Sequence, residues 1–322
     1  MDLSFVQAGL TRCLSGATIT KLEPLSAGWE TDVYGFEADG RPLVLRVYSG
    51  ADQWNRGGAE SKAMRLLYAQ GYPVPEVIAY GPAPGTAGEF GGQYLMMDRV
   101  PGKVFGRHFG DQSEAPAQVR LFCSLLHRLH QVDPAEFGTE SPSSFGLDII
   151  RMMAGDLREA FEPALQVLDG REPAVDRQRR CLIHGDFHDE NILITPEGAP
   201  FVIDWSGAAV EDPRADVAQA MALCITNGNP GAAELIRQGY EAEHGGPLPH
   251  LDYFVQLALT RRVLTIVVTV VRGSSAMGMR PGLEAGLRKH MAWVRQLVAH
   301  LEQVSGVSLP QVHAALDGVA TA

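Results

Sequence analysis

Two short apolar stretches, each followed at once by polar residues, constrain this chain more than any other feature of its sequence. Residues 181–183 are Cys-Leu-Ile and lead into a loop in which Asp186 and Asn191 stand five positions apart. Residues 201–203 are Phe-Val-Ile and are followed by Asp204. Short apolar runs bounded by polar and turn residues are typical of buried strands. The pattern therefore predicts two strands that present two acids and one amide at one edge.

This set of side chains suits phosphoryl transfer to an alcohol, in which the protein supplies positioning and charge rather than covalent chemistry. One carboxylate must orient the attacking hydroxyl and accept its proton, and Asp186 fits that role. Mg²⁺ prefers hard oxygen ligands and keeps several of its waters, so two protein side chains suffice to hold it. Asn191 and Asp204 are accordingly the candidate metal ligands.

The same positions belong to longer motifs. His184 begins the pattern H-G-D-x-x-x-x-N, residues 203–205 read I-D-W, and a D-P-x-x-D pattern ends at Asp216. This combination resembles the aminoglycoside phosphotransferase family, whose members are relatives of the protein kinases. The resemblance implies the same three roles, with Asp216 bracing the catalytic loop, and it implies Mg²⁺ and ATP or GTP as cofactors.

The resemblance extends to the N-terminal part, where this family binds its nucleotide. Gly28, Trp29, Glu30 and Thr31 lie between two β-rich runs, where kinases place the loop that covers the phosphates. Backbone amides in such a loop can bind phosphate oxygens. We therefore expect these four residues to contact the nucleotide.

Three further nucleotide contacts are implied by the resemblance. Arg46 stands where kinases carry the lysine that contacts the α- and β-phosphates, and Glu60 is its expected helix partner. Arginine keeps the positive charge and can bind phosphate through two N–H groups. Glu60 by itself fits a surface position of a helix equally well. Backbone groups near Asp98 and Val100 are expected to bond adenine.

The order of the predicted elements divides the chain. Residues 18–100 are mostly β-rich runs around one helix, and Asp39-Gly40 has the composition of a hairpin turn. Amphipathic segments follow near residues 115–131, 146–168, 216–227, 251–272 and 283–304. We therefore predict an α+β fold, and the resemblance implies a bilobal, protein-kinase-like one. Its nucleotide-binding lobe would be residues 1–104, and its mainly helical lobe, with the catalytic loop and acceptor site, residues 105–322.

The net charge of the chain limits the kinds of molecule that it can bind. The chain of 322 residues has a formal net charge of −11 and shows no basic patch, so no nucleic-acid partner is expected. Most of the excess acid lies after residue 104, where 18 Lys and Arg face 27 Asp and Glu. Acids such as Asp148, Asp156, Glu211, Glu241 and Glu243 could bind a cationic acceptor or simply form solvated helix faces.

The remaining composition points to a cytoplasmic protein. The four cysteines are widely scattered, which fits free thiols in a reducing compartment better than disulfides or a zinc site. The N-terminal residues lack the basic and long apolar regions of a signal peptide. The apolar run at residues 263–271 is much shorter than the ~20 residues that cross a bilayer, so we expect a buried helix and no membrane partner.

The leading hypothesis is an enzyme, an ATP- or GTP-dependent O-phosphotransferase that acts on a small molecule. Aminoglycosides, macrolides and amino-alcohol metabolites are the acceptor classes considered, and nothing in the sequence decides among them. The alternative is a catalytically silent pseudokinase that senses nucleotide or binds a partner, because Arg46 departs from the kinase lysine. The sequence makes no prediction of oligomeric state.

Overall fold

The computed structural model describes residues 1–27, 31–48, 56–82, 88–106, 115–138, 146–175, 180–277, 279 and 282–320. Its strands, in chain order, are β1 (Ile19–Ala27), β2 (Thr31–Ala38), β3 (Arg41–Tyr48), β4 (Val77–Gly81), β5 (Tyr94–Asp98), β6 (Lys103–Val104), β7 (Cys181–Ile183), β8 (Ile192–Ile194), β9 (Pro200–Val202) and β10 (Ala209–Glu211). Its helices are α1 (Leu3–Cys13), α2 (Arg56–Ala69), α3 (Ala115–His130), α4 (Leu147–Ala154), α5 (Arg158–Arg171), α6 (Arg214–Thr226), α7 (Pro230–His244), α8 (Leu251–Arg272), α9 (Leu283–Arg288), α10 (Met291–Ser305) and α11 (Pro310–Ala320).

The chain divides into two compact units, and each unit is made of three separate segments of the sequence. The first unit comprises Met1–Phe105, Ala135–Ser141 and Glu190–Ala208. The second unit comprises Gly106–Pro134, Pro142–Asp189 and Ala209–Ala322. A domain boundary after residue 104 stays a prediction, and the contact-based units differ from it because two later segments join the first.

The first unit is built on an antiparallel sheet with the strand order β1-β2-β3-β5-β4. Asp39 and Gly40 connect β2 to β3 with φ values of 50° and 85°, which is the left-handed conformation that a tight hairpin turn requires. α1 packs on the sheet through Val6 and Leu10, both fully buried in a cluster with Phe36. The hydrophobic face of the sheet therefore closes against this N-terminal helix.

A second, smaller sheet of the first unit positions the polar ends of two strands. Its order is β6-β8-β9, with antiparallel pairing throughout. The Ile203 N–H donates to the Asn191 carbonyl at 2.9 Å. Asn191 and Ile203 are therefore neighbours, and Asp204 follows directly.

The second unit is mainly helical, and α8 packs against α4, α5, α6, α10 and α11 within it. A short antiparallel pair of β7 and β10 adjoins these helices. Among the described residues, α8 is the one helix whose length and apolar composition would allow a membrane crossing. Of its most apolar window, 72% is buried inside the protein, as in the core helix of a globular unit.

The α+β, protein-kinase-like fold class predicted from the sequence is confirmed. Two predicted helical segments are nevertheless interrupted. The segment at residues 146–168 divides into α4 and α5 because Gly155 adopts φ 55° after the last turn of α4. The segment at residues 283–304 divides into α9 and α10 at residues 289–290. The sequence analysis did not identify α7 or α11.

Candidate functional site

Asp204, two residues after the end of β9, has an unusual backbone conformation. Its φ and ψ are 65° and 64°, in the left-handed region that few residues other than glycine adopt. The Ser206 hydroxyl donates to Asp204 Oδ1 at 3.0 Å, and the Arg46 Nη2 donates to the same oxygen at 3.0 Å. The side chain is 41% exposed, so the carboxylate is held from one side and open to solvent from another.

Arg46 lies at the centre of a buried cluster in the first unit. Its Nη1 donates to Glu60 Oε1 at 2.7 Å, while its Nη2 also lies 3.4 Å from the Thr31 hydroxyl. Burial alone would lower the pKa of this guanidinium, but the charges of Asp204 and Glu60 raise it overall. The structure thus joins three sequence-predicted residues, Arg46, Glu60 and Asp204, in one ion-pair network.

Glu60 is fully buried on α2, so the surface-position reading is wrong. Burial raises its pKa, the Arg46 charge opposes that rise, and the Asp204 charge adds to it. The Trp205 N–H donates to Glu60 Oε1 at 3.3 Å, and the Tyr48 hydroxyl donates to Oε2. Burial and the Glu60 charge raise the pKa of Tyr48 well above its ordinary value, which keeps the phenol a donor.

Two observations test whether this cluster fits Mg²⁺ and a nucleotide. Asn191 and Asp204 supply amide and carboxylate oxygens, which are the ligand types that Mg²⁺ prefers. The Arg46 Nε is buried and has no hydrogen-bond partner among the described residues, so it is a donor that a phosphate oxygen can satisfy. The residues present therefore fit a magnesium nucleotide. The described part of the chain contains no group of three or more His, Cys, Asp or Glu placed to hold a metal.

The predicted adenine-binding positions lie at the end of β5. The Asp98 N–H already donates to the Glu76 carbonyl at 3.0 Å, and the Asp98 carboxylate accepts from Arg41 at 2.8 and 2.9 Å. The Val100 carbonyl accepts from the Gly102 N–H at 2.9 Å, while the Val100 N–H makes no hydrogen bond to the described residues. Of the two backbone N–H groups, the Val100 N–H is therefore the donor left for a base edge.

Part of the predicted phosphate loop lies outside the described residues, namely Gly28, Trp29 and Glu30. Thr31, the fourth predicted position, is buried and begins β2 beside Arg46.

Asp186 lies in the second unit, on a loop fixed by Asp216. Gly185 adopts φ 81°, which favours glycine at this position. The Gly185 N–H donates to Asp216 Oδ1 and the His184 N–H to Oδ2, both at 2.7 Å. This is the bracing contact that the resemblance implied for Asp216.

The surroundings of Asp186 keep its carboxylate ionised. Desolvation by the surrounding protein raises its pKa, but it is opposed by His188, whose Nε2 lies 3.6 Å from Oδ2. The charges of His184 and Arg261 lower it further, so the pKa of Asp186 lies well below its usual range. The side chain is 52% exposed, so this carboxylate is both charged and reachable from solvent.

Sequence reasoning missed the residues that hold these acids. His130 Nε2 lies 3.4 Å from Asp216 Oδ2, and His130 Nδ1 lies 2.6 Å from the Tyr240 hydroxyl. The Gln219 Nε2 donates to Asp186 Oδ1 at 3.2 Å. A signal existed for Gln219 alone, because a glutamine inside the apolar helix α6 needs a polar partner.

Three of the acids considered for a cationic acceptor pair with arginines in the second unit: Asp156 with Arg272, Glu211 with Arg180, and Glu241 with Arg237. Asp148 is fully exposed and lies 3.9 Å from Arg151. The charges of the first three acids are therefore largely compensated within the protein.

Comparison with known proteins agrees with the motifs. A model of the phosphotransferase enzyme family matches residues 21–252. The chain is 25% identical to hygromycin-B 4-O-kinase of Escherichia coli over 222 residues, which are 62% of each protein. It is 23% identical to acyl-CoA dehydrogenase family member 11 of Rattus norvegicus over 219 residues, which are 63% of this chain. The chain spans about a quarter to a third of the length of the relatives with that name, 27% of the rat protein.

Solved structures share the fold. Aminoglycoside phosphotransferase APH(4)-Ia matches with a TM-score of 0.64 at 21% identity, over 91% of this chain and 99% of that one. A GDP and kanamycin complex of APH(2")-IIIa matches with a TM-score of 0.65 at 17% identity, over 95% and 99% of the two chains. At these identities the likeness shows the fold.

Proposed function

Because this chain belongs to the phosphotransferase enzyme family, we propose that it transfers the γ-phosphoryl group of ATP or GTP to a hydroxyl of a small molecule. The observation that carries the proposal is the buried network in which Arg46 binds Glu60 and Asp204. In this network the Arg46 guanidinium, which can bind phosphate, lies beside the Asp204 carboxylate, which can bind a metal ion. We also propose a cytoplasmic location, which the free cysteines support.

Residues of the first unit bind the nucleotide in this proposal. Arg46 holds the α- and β-phosphates, and Glu60 fixes the orientation of its guanidinium. The Val100 N–H bonds the adenine or guanine base. Asn191 and Asp204 hold Mg²⁺, which neutralises charge on the phosphates when bound.

Asp186 of the second unit is the general base. Its ionised carboxylate accepts the proton of the acceptor hydroxyl as that oxygen bonds to the γ-phosphorus, and the bond to the bridging β–γ oxygen breaks. The products are a phosphate ester and a nucleoside diphosphate. Gln219 holds one carboxylate oxygen and Asp216 holds the loop, so the base stays oriented between turnovers.

A screen of acceptors tests the proposal. The purified chain is mixed with Mg²⁺ and ATP or GTP, and release of the diphosphate is followed together with the mass of the product. The panel contains aminoglycosides, macrolides and amino alcohols. It also contains hydroxyl-bearing acyl thioesters, because several relatives are named for acyl-CoA dehydrogenase. Transfer to at least one acceptor is expected.

Asp186→Asn is the variant that tests the mechanism. It removes the proton acceptor but leaves the first unit intact, so we expect turnover to fall by about 10²-fold or more with unchanged nucleotide affinity. Asp317→Asn, an exposed carboxylate on α11, is the matched control. Near wild-type turnover in Asp186→Asn would remove Asp186 from the mechanism, and nucleotide binding without transfer to any acceptor would favour the pseudokinase alternative.

A further inference from the structure

Two consecutive arginines of α8, Arg261 and Arg262, lie within electrostatic reach of Asp186. The Arg262 Nε donates to the Thr226 hydroxyl at 2.7 Å. Within the described part of the chain, Arg262 forms no ion pair with a carboxylate at contact distance. Arg262 is only partly buried, so part of the residue is exposed to solvent.

One face of α6 carries both the residue that contacts Asp186 and the residue that contacts Arg262. Gln219 and Thr226 are seven positions apart, which places them on the same side of the helix, two turns from one another. Gln219 touches Asp186 and Thr226 touches Arg262. The catalytic carboxylate and the guanidinium are thus aligned along this single face.

The Oε1 atom of Gln219 has no hydrogen-bond partner among the described residues. The Gln219 side chain is buried, with 4% of the residue exposed, and its Nε2 is committed to Asp186. The Oε1 atom is buried as well. Buried acceptors are normally satisfied, so an unpaired one beside a catalytic base indicates a group supplied by the substrate.

A cavity of about 420 Å³ adjoins the far end of the same helix face. Thr226, Trp293 and His300 belong to its lining, and the Trp293 Nε1 donates to the Thr226 carbonyl at 3.1 Å. Thr226, which accepts from Arg262, is therefore part of the cavity wall, whereas Asp186, Gln219 and Arg262 are not among the residues that line the cavity. Its volume lies within the range of small-molecule sites.

Charges of both signs lie around this face. Arg261 and Arg262 lie within electrostatic reach of Asp186, while Asp216 is occupied by backbone N–H groups and Asp189 lies near α6. Burial lowers the pKa of Arg262, and the adjacent Arg261 lowers it further while Asp186 raises it. Arginine remains charged even so. An anion placed here would relieve this repulsion, whereas a cation would increase it.

We infer that the acceptor is an anionic hydroxyl compound, whose carboxylate or phosphate group binds Arg262 while its hydroxyl lies at Asp186 and Gln219. The inference rests on the proposed function and adds the class of acceptor to it. A guanidinium fits either anion because both accept two parallel hydrogen bonds. Positively charged amino sugars are disfavoured at this face.

Acceptors matched in shape but not in charge test the inference. The carboxylate arm compares 3-hydroxybutyrate with the neutral 3-hydroxybutyramide and the cationic 4-amino-2-butanol. The phosphate arm compares glycerol 3-phosphate with glycerol and 3-amino-1,2-propanediol. In at least one arm we expect kcat/KM for the anion to exceed that of both analogues by about tenfold or more, the effect of one charge-assisted hydrogen bond. Equal or better use of the neutral or cationic analogues in both arms overturns the inference.

Variants of α8 separate recognition from folding. Arg262→Gln should raise KM for the preferred anion by about tenfold or more and leave KM for the nucleotide and for the neutral analogue unchanged. Arg262→Lys, which keeps the charge, should recover part of the loss. Arg272→Gln, on the same helix but paired with Asp156, is the control and should change neither KM. If Arg262→Gln affects all acceptors alike, Arg262 only supports the end of α6 and the inference fails.

Binding without turnover distinguishes failure of the inference from failure of the proposed function. Saturation-transfer NMR measures 3-hydroxybutyrate and glycerol 3-phosphate on the nucleotide-free wild type and on Arg262→Gln. Binding of either anion that is lost in the variant supports the anion site even if the chain phosphorylates no acceptor. Absence of binding to the wild type, together with absence of turnover on both anions, overturns the inference.

Discussion

Arg46 is bound through both terminal nitrogens, to Glu60 and to Asp204, and this double contact decides what its replacement costs. Arg46→Ala leaves the buried Glu60 carboxylate without its main counter-charge. Breaking one side of a buried pair costs about 3–5 kcal/mol, so we expect a large loss of stability together with a loss of turnover of about 10²-fold or more. Arg46→Lys should lose less of both, because it keeps a charge but not the planar fork. Chemical denaturation and steady-state kinetics measure the two effects.

A double variant separates stability from chemistry at the same position. Arg46→Met with Glu60→Gln removes both charges while the amide can still accept from the Trp205 N–H. We expect the free energy of unfolding to return much of the way to that of the wild type and turnover to stay low. If turnover also recovers, Arg46 serves stability alone and the proposed phosphate contact is wrong.

His188 sets the acid limit of activity through Asp186. It is the largest of the influences that lower the pKa of Asp186, while desolvation raises it. Removing the imidazole in His188→Ala should therefore raise that pKa and protonate more of the base at low pH. We expect the acid limb of the kcat/KM profile to lie at higher pH in the variant than in the wild type.

The control for this pH profile is His250→Asn, an exposed histidine in a left-handed conformation that asparagine tolerates. Its profile should match the wild type. A His188→Ala profile that is parallel to the wild-type profile would show that Asp186 is held ionised by other groups.

Sequence reasoning predicts candidate residues where a motif is local and misses contacts that are long-range. H-G-D-x-x-x-x-N places Asp186 and Asn191 within one short segment, so spacing alone indicates both. The bond between Arg46 and Asp204 joins residues 158 positions apart and leaves no pattern in the sequence. The contacts of Gln219 and Arg262 are likewise long-range; the sequence could indicate that Gln219 needs a polar partner, but not that the partner is Asp186.

At the scale of the elements, α1 depends on one glycine at its contact with the residues before β5. A Cβ built at Gly9 would lie 2.5 Å from Phe90 Cε1 and 3.0 Å from the Glu89 carbonyl oxygen. Alanine has the higher helix propensity, by about 1 kcal/mol, but overpacking a core costs about 1–3 kcal/mol. Gly9→Ala should therefore destabilise the chain in urea denaturation.

The matched control for Gly9 is Gly170, near the end of α5, where an added Cβ meets nothing within 4 Å. Gly170→Ala should be neutral or stabilising by up to about 1 kcal/mol. A stabilising Gly9→Ala would mean that α1 can shift on the sheet at little cost.

Element boundaries show what periodicity can and cannot reveal. The apolar pattern predicted α8 at residues 251–272, which are its observed bounds, because the helix is buried on most sides and ends at Gly273. The same pattern ran through Gly155, where the chain turns left-handed between α4 and α5. α7 escaped notice because its Pro230-Gly231 start and internal Gly239 resemble a loop, although Asn229 caps the helix and proline suits its first turn.

At the scale of the whole molecule, thermal stability reports nucleotide and metal occupancy without any acceptor. A ligand at 100 times its Kd adds about 2.7 kcal/mol to the free energy of unfolding. We expect ATP with Mg²⁺ to raise Tm by several degrees and ATP with EDTA to raise it less. Asp204→Ala should lose the difference between the two conditions, because it deletes a charged oxygen of the metal site.

The control for the thermal experiment is Asp186→Asn, whose Tm should respond to Mg²⁺ and ATP as the wild type does. An Asp204→Ala chain that still distinguishes Mg²⁺ from EDTA would place the metal on other ligands. A wild-type chain whose Tm does not respond to ATP under either condition would contradict nucleotide binding.

The chain crosses between its two units at Asp189 and Glu190 and crosses back at Ala208 and Ala209. The segment between these crossings, Glu190–Ala208, contributes β8, β9 and Asp204 to the first unit, where β8 pairs with β6. No single cut can therefore excise the nucleotide-binding half. A fragment that ends near residue 105 would expose the edge of β6 and lack the carboxylate that faces Arg46. Because the segments of the two units alternate along the sequence, neither unit can be expressed as one continuous fragment.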